Sequence, residues 1–231
     1  MSFRWCLCSF LAALLAGLLL QAQVPAQSSV PSSPSSSSKQ VKKSAPTSDS
    51  KLDSGKASAG VYRNLAFGFT CKIPAGWVLR TEEMNRQEDE DEKADAGKKA
   101  TDTGRVLLAA FSRPPEARGE DVNGSILIAA ESAAAYPGLK DAAQYFGPVT
   151  EIAKARSFEV VDEPYEFVIG TKAVVRGDFQ RDVGTRVMRQ STLVVLARGY
   201  VVSFTFIGGT EDEVEELVQG LSFGAGAKPA R

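Results

Sequence analysis

Histidine is absent from all 231 residues, so the chemistry open to this chain runs through carboxylates, one thiol and guanidinium groups. No Ser-His-Asp or Cys-His pair, ordinary catalytic zinc set or imidazole acid/base can be assembled. Cys6 and Cys8 stand in an apolar N-terminal stretch, which leaves Cys71 without an intrachain disulfide partner once that stretch is removed. A nucleophilic Cys71 needs exposure and an activating neighbour, whereas the strand phase derived below turns it into the core. Two carboxylates can hydrolyse a glycosidic bond, one as acid and the other as base or nucleophile, and Asp162-Glu163 with Glu166 is the nearest such cluster. Adjacent acids before Pro164 also read as a solvated turn. The run Glu88-Asp89-Glu90-Asp91-Glu92 offers oxygens to a divalent cation. It lacks the glycine and alternating ligand spacing of an EF-hand loop, so weak calcium affinity is the most it implies, and like-charge runs ordinarily stay solvated.

A second set of polar residues suits recognition better than catalysis. Strand phase places Lys172, Arg176 and Asp178 on one face, with Arg181, Arg186 and Arg189 on or near the neighbouring strand. Lys172, Arg176, Asp178 and Arg189 therefore form a candidate partner-binding face, with cross-strand ion pairing as the simpler alternative. Arg176-Gly177-Asp178 spells an integrin-binding tripeptide, but inside a predicted strand and not at a loop tip. Trp77 and Tyr62 could stack a sugar or a peptide side chain; at a turn beside an alternating strand they also suit the end of a core. The pattern calls for no metal and no cofactor.

These residues need a scaffold and an address. Arg4 is the only charge before an apolar run from Trp5 to Leu20, followed by small residues suited to cleavage after Ala26. That is the layout of a secretory signal peptide over residues 1–26, with an uncleaved anchor as the rival reading. Residues 27–59 carry 13 serines, no aromatic residue and a net charge of +3, the composition of a flexible linker. Residues 60–224 are long enough for one domain, carry a net charge of −7 and so disfavour nucleic acid as a partner. Residues 225–231 form a small-residue tail. The expected location is periplasmic or extracellular, with membrane contact only through the N-terminal segment if it is retained.

Within the domain, Phe67, Phe69, Cys71 and Ile73 alternate with Gly68, Thr70 and Lys72, the period of a half-buried strand. Pro74-Ala75-Gly76 makes a turn into a strand from Trp77 to Leu79. The highly charged stretch Glu82–Gly104 reads as a solvated insertion. Val106–Phe111 and Ile126–Ala130, apolar on both faces, suit central strands of a sheet covered on both sides. A helix is predicted near Lys140–Ala155, kinked or split at Pro148. Strands follow at about Phe158–Val161 and Lys172–Arg181, then a hairpin over Arg186–Ile207 turning at Arg198-Gly199. Thr210 and Glu213 make a capping box ahead of a helix whose stripe is Val214, Leu217, Val218 and Leu221. The order implies an α+β fold, an antiparallel sheet with helices packed on it.

Tyr62-Arg63-Asn64 leading into Phe67-Gly68-Phe69, and then Ile73-Pro74-Ala75-Gly76-Trp77, resembles the opening of PsbP-like domains. Ile169-Gly170 before Ala173, Val175 and Gly177, and Gly199-Tyr200 to Phe206 before Leu221-Ser222-Phe223, resemble that family's later landmarks. The resemblance covers most of residues 60–224, with 82–104 as an insertion. It implies the α/β/α sandwich shared by PsbP-type lumen proteins, Ran-binding import factors and DcrB-type periplasmic proteins, and protein binding or assembly instead of catalysis. The function expected is thus an exported, non-catalytic module that binds an envelope protein. The alternatives are a carboxylate-based hydrolase of envelope polymers and a cation-binding surface protein.

Overall fold

The structure is a computed structural model, in which residues 52–94, 104–117, 119 and 121–224 are described. The segment read as a signal peptide, most of the serine-rich stretch and the tail lie outside them. Seven antiparallel strands make the main sheet: β4 (Val78–Leu79), β5 (Gly104–Phe111), β6 (Ser125–Ser132), β7 (Glu159–Ile169), β8 (Lys172–Val183), β9 (Arg186–Ala197) and β10 (Tyr200–Gly208), in spatial order β4-β5-β6-β10-β9-β8-β7. A smaller sheet has the order β1-β2-β3-β11, from β1 (Lys56–Ser58), β2 (Val61–Asn64), β3 (Phe69–Lys72) and β11 (Leu221–Phe223). Among the described residues three α-helices complete the fold: α1 (Thr81–Ala94), α2 (Phe146–Ala155) and α3 (Glu211–Gln219).

Register shows why the result is a three-layer sandwich. Leu193, Phe204, Ile128 and Leu108 lie opposite one another across β9, β10, β6 and β5. All four are buried with Phe69 and Cys71 of the small sheet and Val214 and Leu217 of α3. Their neighbours Val194, Ser203, Ala129 and Val106 form the other face, where Val194 packs with Phe146 and Ala153 of α2 and Val106 with Met84 of α1. Both faces of the central strands are covered, as their continuous apolar runs require. The fold class expected from the sequence is the one found.

Cys71 is fully buried, and burial pushes its thiol up to about 12, so it is a core side chain and not a nucleophile. Pro148 falls in the first turn of α2, where its missing N–H has no intrahelical partner to lose. The chain breaks just ahead of it, where a 3₁₀ turn over Ala143–Tyr145 runs into the helix. The α3 cap forms in full: Thr210 Oγ1 accepts from the Glu213 N–H, and Glu213 Oε2 accepts from the Thr210 N–H.

Two expectations need correction. β1 lies inside the stretch read as linker, because Leu52 and Ala57 pack on the core and the Tyr62 hydroxyl and Asn64 amide donate to the carbonyls of Ser54 and Asp53. The charged stretch read as a solvated insertion begins as α1, and residues 95–103 lie outside the described residues. Met84 is buried against β5, and Asn85 takes the place of a neighbouring strand. Its amide donates to the Val106 carbonyl at 3.0 Å and accepts from the Val106 N–H at 3.0 Å, while Thr81 Oγ1 accepts from the Ala109 N–H. Beyond two-residue β4, the edge of β5 is thereby closed by side chains.

Candidate functional site

The four residues of the candidate face separate. Lys172 is exposed beside the β7–β8 turn, opposite Ile169. Arg176 is only 6% exposed, because α3 lies across the middle of that face. Its Nε donates to both Asp178 oxygens at 3.0 Å, its Nη2 donates to Glu215 of α3, and its guanidinium lies 5.1 Å over the Phe167 ring. Asp178 also accepts from Ser191 Oγ at 2.6 Å and Tyr165 OH at 3.1 Å. Burial alone would lower the Arg176 pKa, but the bonds to Glu215 and Asp178 outweigh it and raise it. Arg176 and Asp178 thus join α3 to β8 and are not free to meet a partner. The tripeptide Arg176-Gly177-Asp178 is accordingly a piece of strand with both charges engaged inside the molecule.

Arg189, three residues after Arg186 at the start of β9, opens instead onto a cleft of about 560 Å3. Its walls are Ser112 and Arg113 with Asp121 and Val122, the start of β9 and the N-terminus of α3. Asn123 holds the first wall, its amide group bonding the N–H and carbonyl of Arg113 at 3.1 Å each. Arg113 donates to the carbonyls of Ala117 and Asp121, and Arg186 pairs with Asp121 at 2.8 Å. Glu213 is held by the α3 cap, where its Oε2 also accepts from the Gly209 N–H at 2.7 Å. That leaves Arg189, bonded among the described residues only to Gln180 Oε1 at 3.3 Å, and Glu211 as the charges displayed to a visitor. Sequence reasoning found Arg189 and the capping box but missed the wall made by Ser112, Arg113, Asp121 and Val122, whose residues read as plain connecting loop.

The other candidates fall elsewhere. Asp162, Glu163 and Glu166 are exposed along β7, where register shifts on either side of Asp162 replace the expected turn. Tyr62 is buried, and Trp77 packs against the same core, so both close the end of the sandwich. The Glu88–Glu92 backbone is helical; its side chains lie outside the described residues. Among the described residues no group of three metal-ligating side chains gathers, and no helix is long and apolar enough to cross a membrane.

One buried acid went unnoticed in the sequence because it ends the apolar run of β6. Glu131 is 2% exposed and accepts hydrogen bonds from Tyr136 and Tyr145. Burial raises its pKa more than the two hydroxyls lower it. The folded state therefore holds this proton where the unfolded chain has released it, and stability is lost as pH rises from the ordinary glutamate range through the folded pKa. Glu131→Gln removes that dependence. Melting curves across acidic to neutral pH should show the wild type losing ground to the variant as pH rises, whereas parallel curves would refute the assignment.

No protein-family model and no curated protein matches the chain. Among solved structures, it is similar to the cyanobacterial PsbP (CyanoP) of Synechocystis sp. PCC 6803, at 14% identity over 71% of this chain and 91% of that one, with a TM-score of 0.42. It is also similar to the Ran-binding protein Mog1p of Saccharomyces cerevisiae, at 12% identity over 68% and 90%, TM-score 0.37. A third is LpqN of Mycobacterium tuberculosis, described as involved in cell envelope biogenesis, at 13% identity over 67% and 82%, TM-score 0.34. PsbP and Ran-binding proteins are the types that the sequence resemblance names, and function is argued from this chain's own residues.

Proposed function

We propose that this chain is an exported, non-catalytic module that binds a protein of the cell envelope through the Arg189 cleft. The observation that carries the reading is the division of labour among the cleft's charges. Asp121 is tied to Arg186 and Glu213 to the helix cap, so two of the three lining carboxylates build the walls. A hydrolase needs two acids free to converge on one bond. Arg189 and Glu211, of opposite sign, suit the mixed polar surface of a protein partner. Export rests on the apolar N-terminal run and the small residues after it.

Affinity capture with the full chain against extracts of its own envelope tests this, with mass spectrometry of what is retained. One protein should be held reproducibly, lost with Arg189→Glu and kept with Lys140→Glu, a charge reversal at an exposed position outside the cleft. Retention unchanged by Arg189→Glu, or of glycan alone, would overturn the reading.

A further inference from the structure

We infer that β7 is a strand-addition site, and that its occupant is an extended, lysine- or arginine-bearing segment of a partner protein, bound apart from the Arg189 cleft. The main sheet has two edges, treated in opposite ways. On one, β4 is two residues long and Asn85 and Thr81 satisfy the backbone of β5 beyond it. On the other, β7 runs for 11 residues, and among the described residues no backbone group pairs with its outer side. The first half is guarded by Pro164 and by the register shifts around Asp162. From Tyr165 to Ile169 the register with β8 is unbroken.

The two-residue turn Gly170-Thr171 makes Ile169 and Lys172 the closing hydrogen-bonded pair. Alternation from that pair directs the N–H and C=O of Glu166 and Val168 outward. Side chains there are not those of a finished surface: Val168 is 64% exposed and Tyr165 39%. Charge selects the occupant. Glu159, Asp162, Glu163 and Glu166 are all exposed and β7 carries no basic residue. A second copy of β7 would set acid against acid, whereas a basic strand gains backbone bonds and opposite-charge cross-strand pairs together.

The probe is a ten-residue peptide alternating valine and lysine, titrated into the full chain by fluorescence anisotropy beside its valine–glutamate counterpart. The lysine peptide should bind and the glutamate peptide should not. Val168→Pro removes one outward N–H without touching the β8 ladder and should weaken binding about five- to tenfold. Glu163→Lys with Glu166→Lys should reverse the preference. Should Val168→Pro fail to fold, N-methylation of alternate peptide amides tests the same bonds on the wild-type protein and should abolish binding. Binding must survive Arg189→Glu, which separates this site from the cleft. Equal binding of both peptides, indifference to N-methylation, or a dimer of the chain that competes with the lysine peptide would each overturn the proposal.

Discussion

Arg176→Ala should lower the unfolding free energy by about 3 kcal/mol, the range found when one partner of a buried ion pair is removed. The loss comes less from the bonds broken than from the charges left behind. Asp178 and Glu215 converge on this one guanidinium from β8 and α3. Without it Asp178, whose side chain is 19% exposed, keeps only neutral donors from Ser191 and Tyr165. Arg176→Lys should recover only part of the loss, since a single ammonium cannot reproduce a fork that spans two carboxylates. Arg176→Met combined with Asp178→Asn and Glu215→Gln should be close to wild type, because no uncompensated charge remains. Urea denaturation with an unchanged m-value measures each. An Arg176→Ala midpoint within error of wild type, or a triple variant no better than the single one, would show that the network does not hold α3. Charge reversal at Arg176 would consequently report on folding, whereas Arg189, which lines the cleft, can serve as a probe of binding.

Which features were legible in the sequence follows from the range of the interactions that make them. The alternation in β3 placed Phe69 and Cys71 in the core because a strand's two faces are written in adjacent residues. The α3 cap was legible for the same reason, being complete within four residues. α1 was not, because a single buried methionine and two hydrogen-bonding side chains hold it to β5 where an apolar stripe would have announced it. Arg176 reads as surface for a related reason: the carboxylate of Glu215 that covers it comes from 39 residues away. Strand phase correctly put Lys172, Arg176 and Asp178 on one face, yet phase says nothing of what lies above a face. The cleft needed three separate segments to be brought together before Arg189 acquired a context.

The packing of α2 is set by one glycine, and Gly177→Val should cost about 3 kcal/mol. A β-carbon added at Gly177 would lie 2.5 Å from Cε1 and 2.9 Å from Cδ1 of Phe146, closer than non-bonded carbons approach. Phe146 is 2% exposed among Phe179, Val194 and Ala153, so its ring has little room to withdraw. Either the ring leaves its rotamer or α2 lifts from β8, and overpacking of this kind costs about 1–3 kcal/mol for a small added group. Gly177→Ala should fall in the lower part of that range and Gly177→Val at its top. The cause is separable from any backbone effect, because Gly177 is not among the residues with positive φ. Phe146→Leu trims the ring that the new carbon meets, so the pair Gly177→Ala with Phe146→Leu should be more stable than the sum of the single losses predicts by about 1 kcal/mol. Simple additivity in that cycle would mean that the strand, and not the ring, demands glycine here.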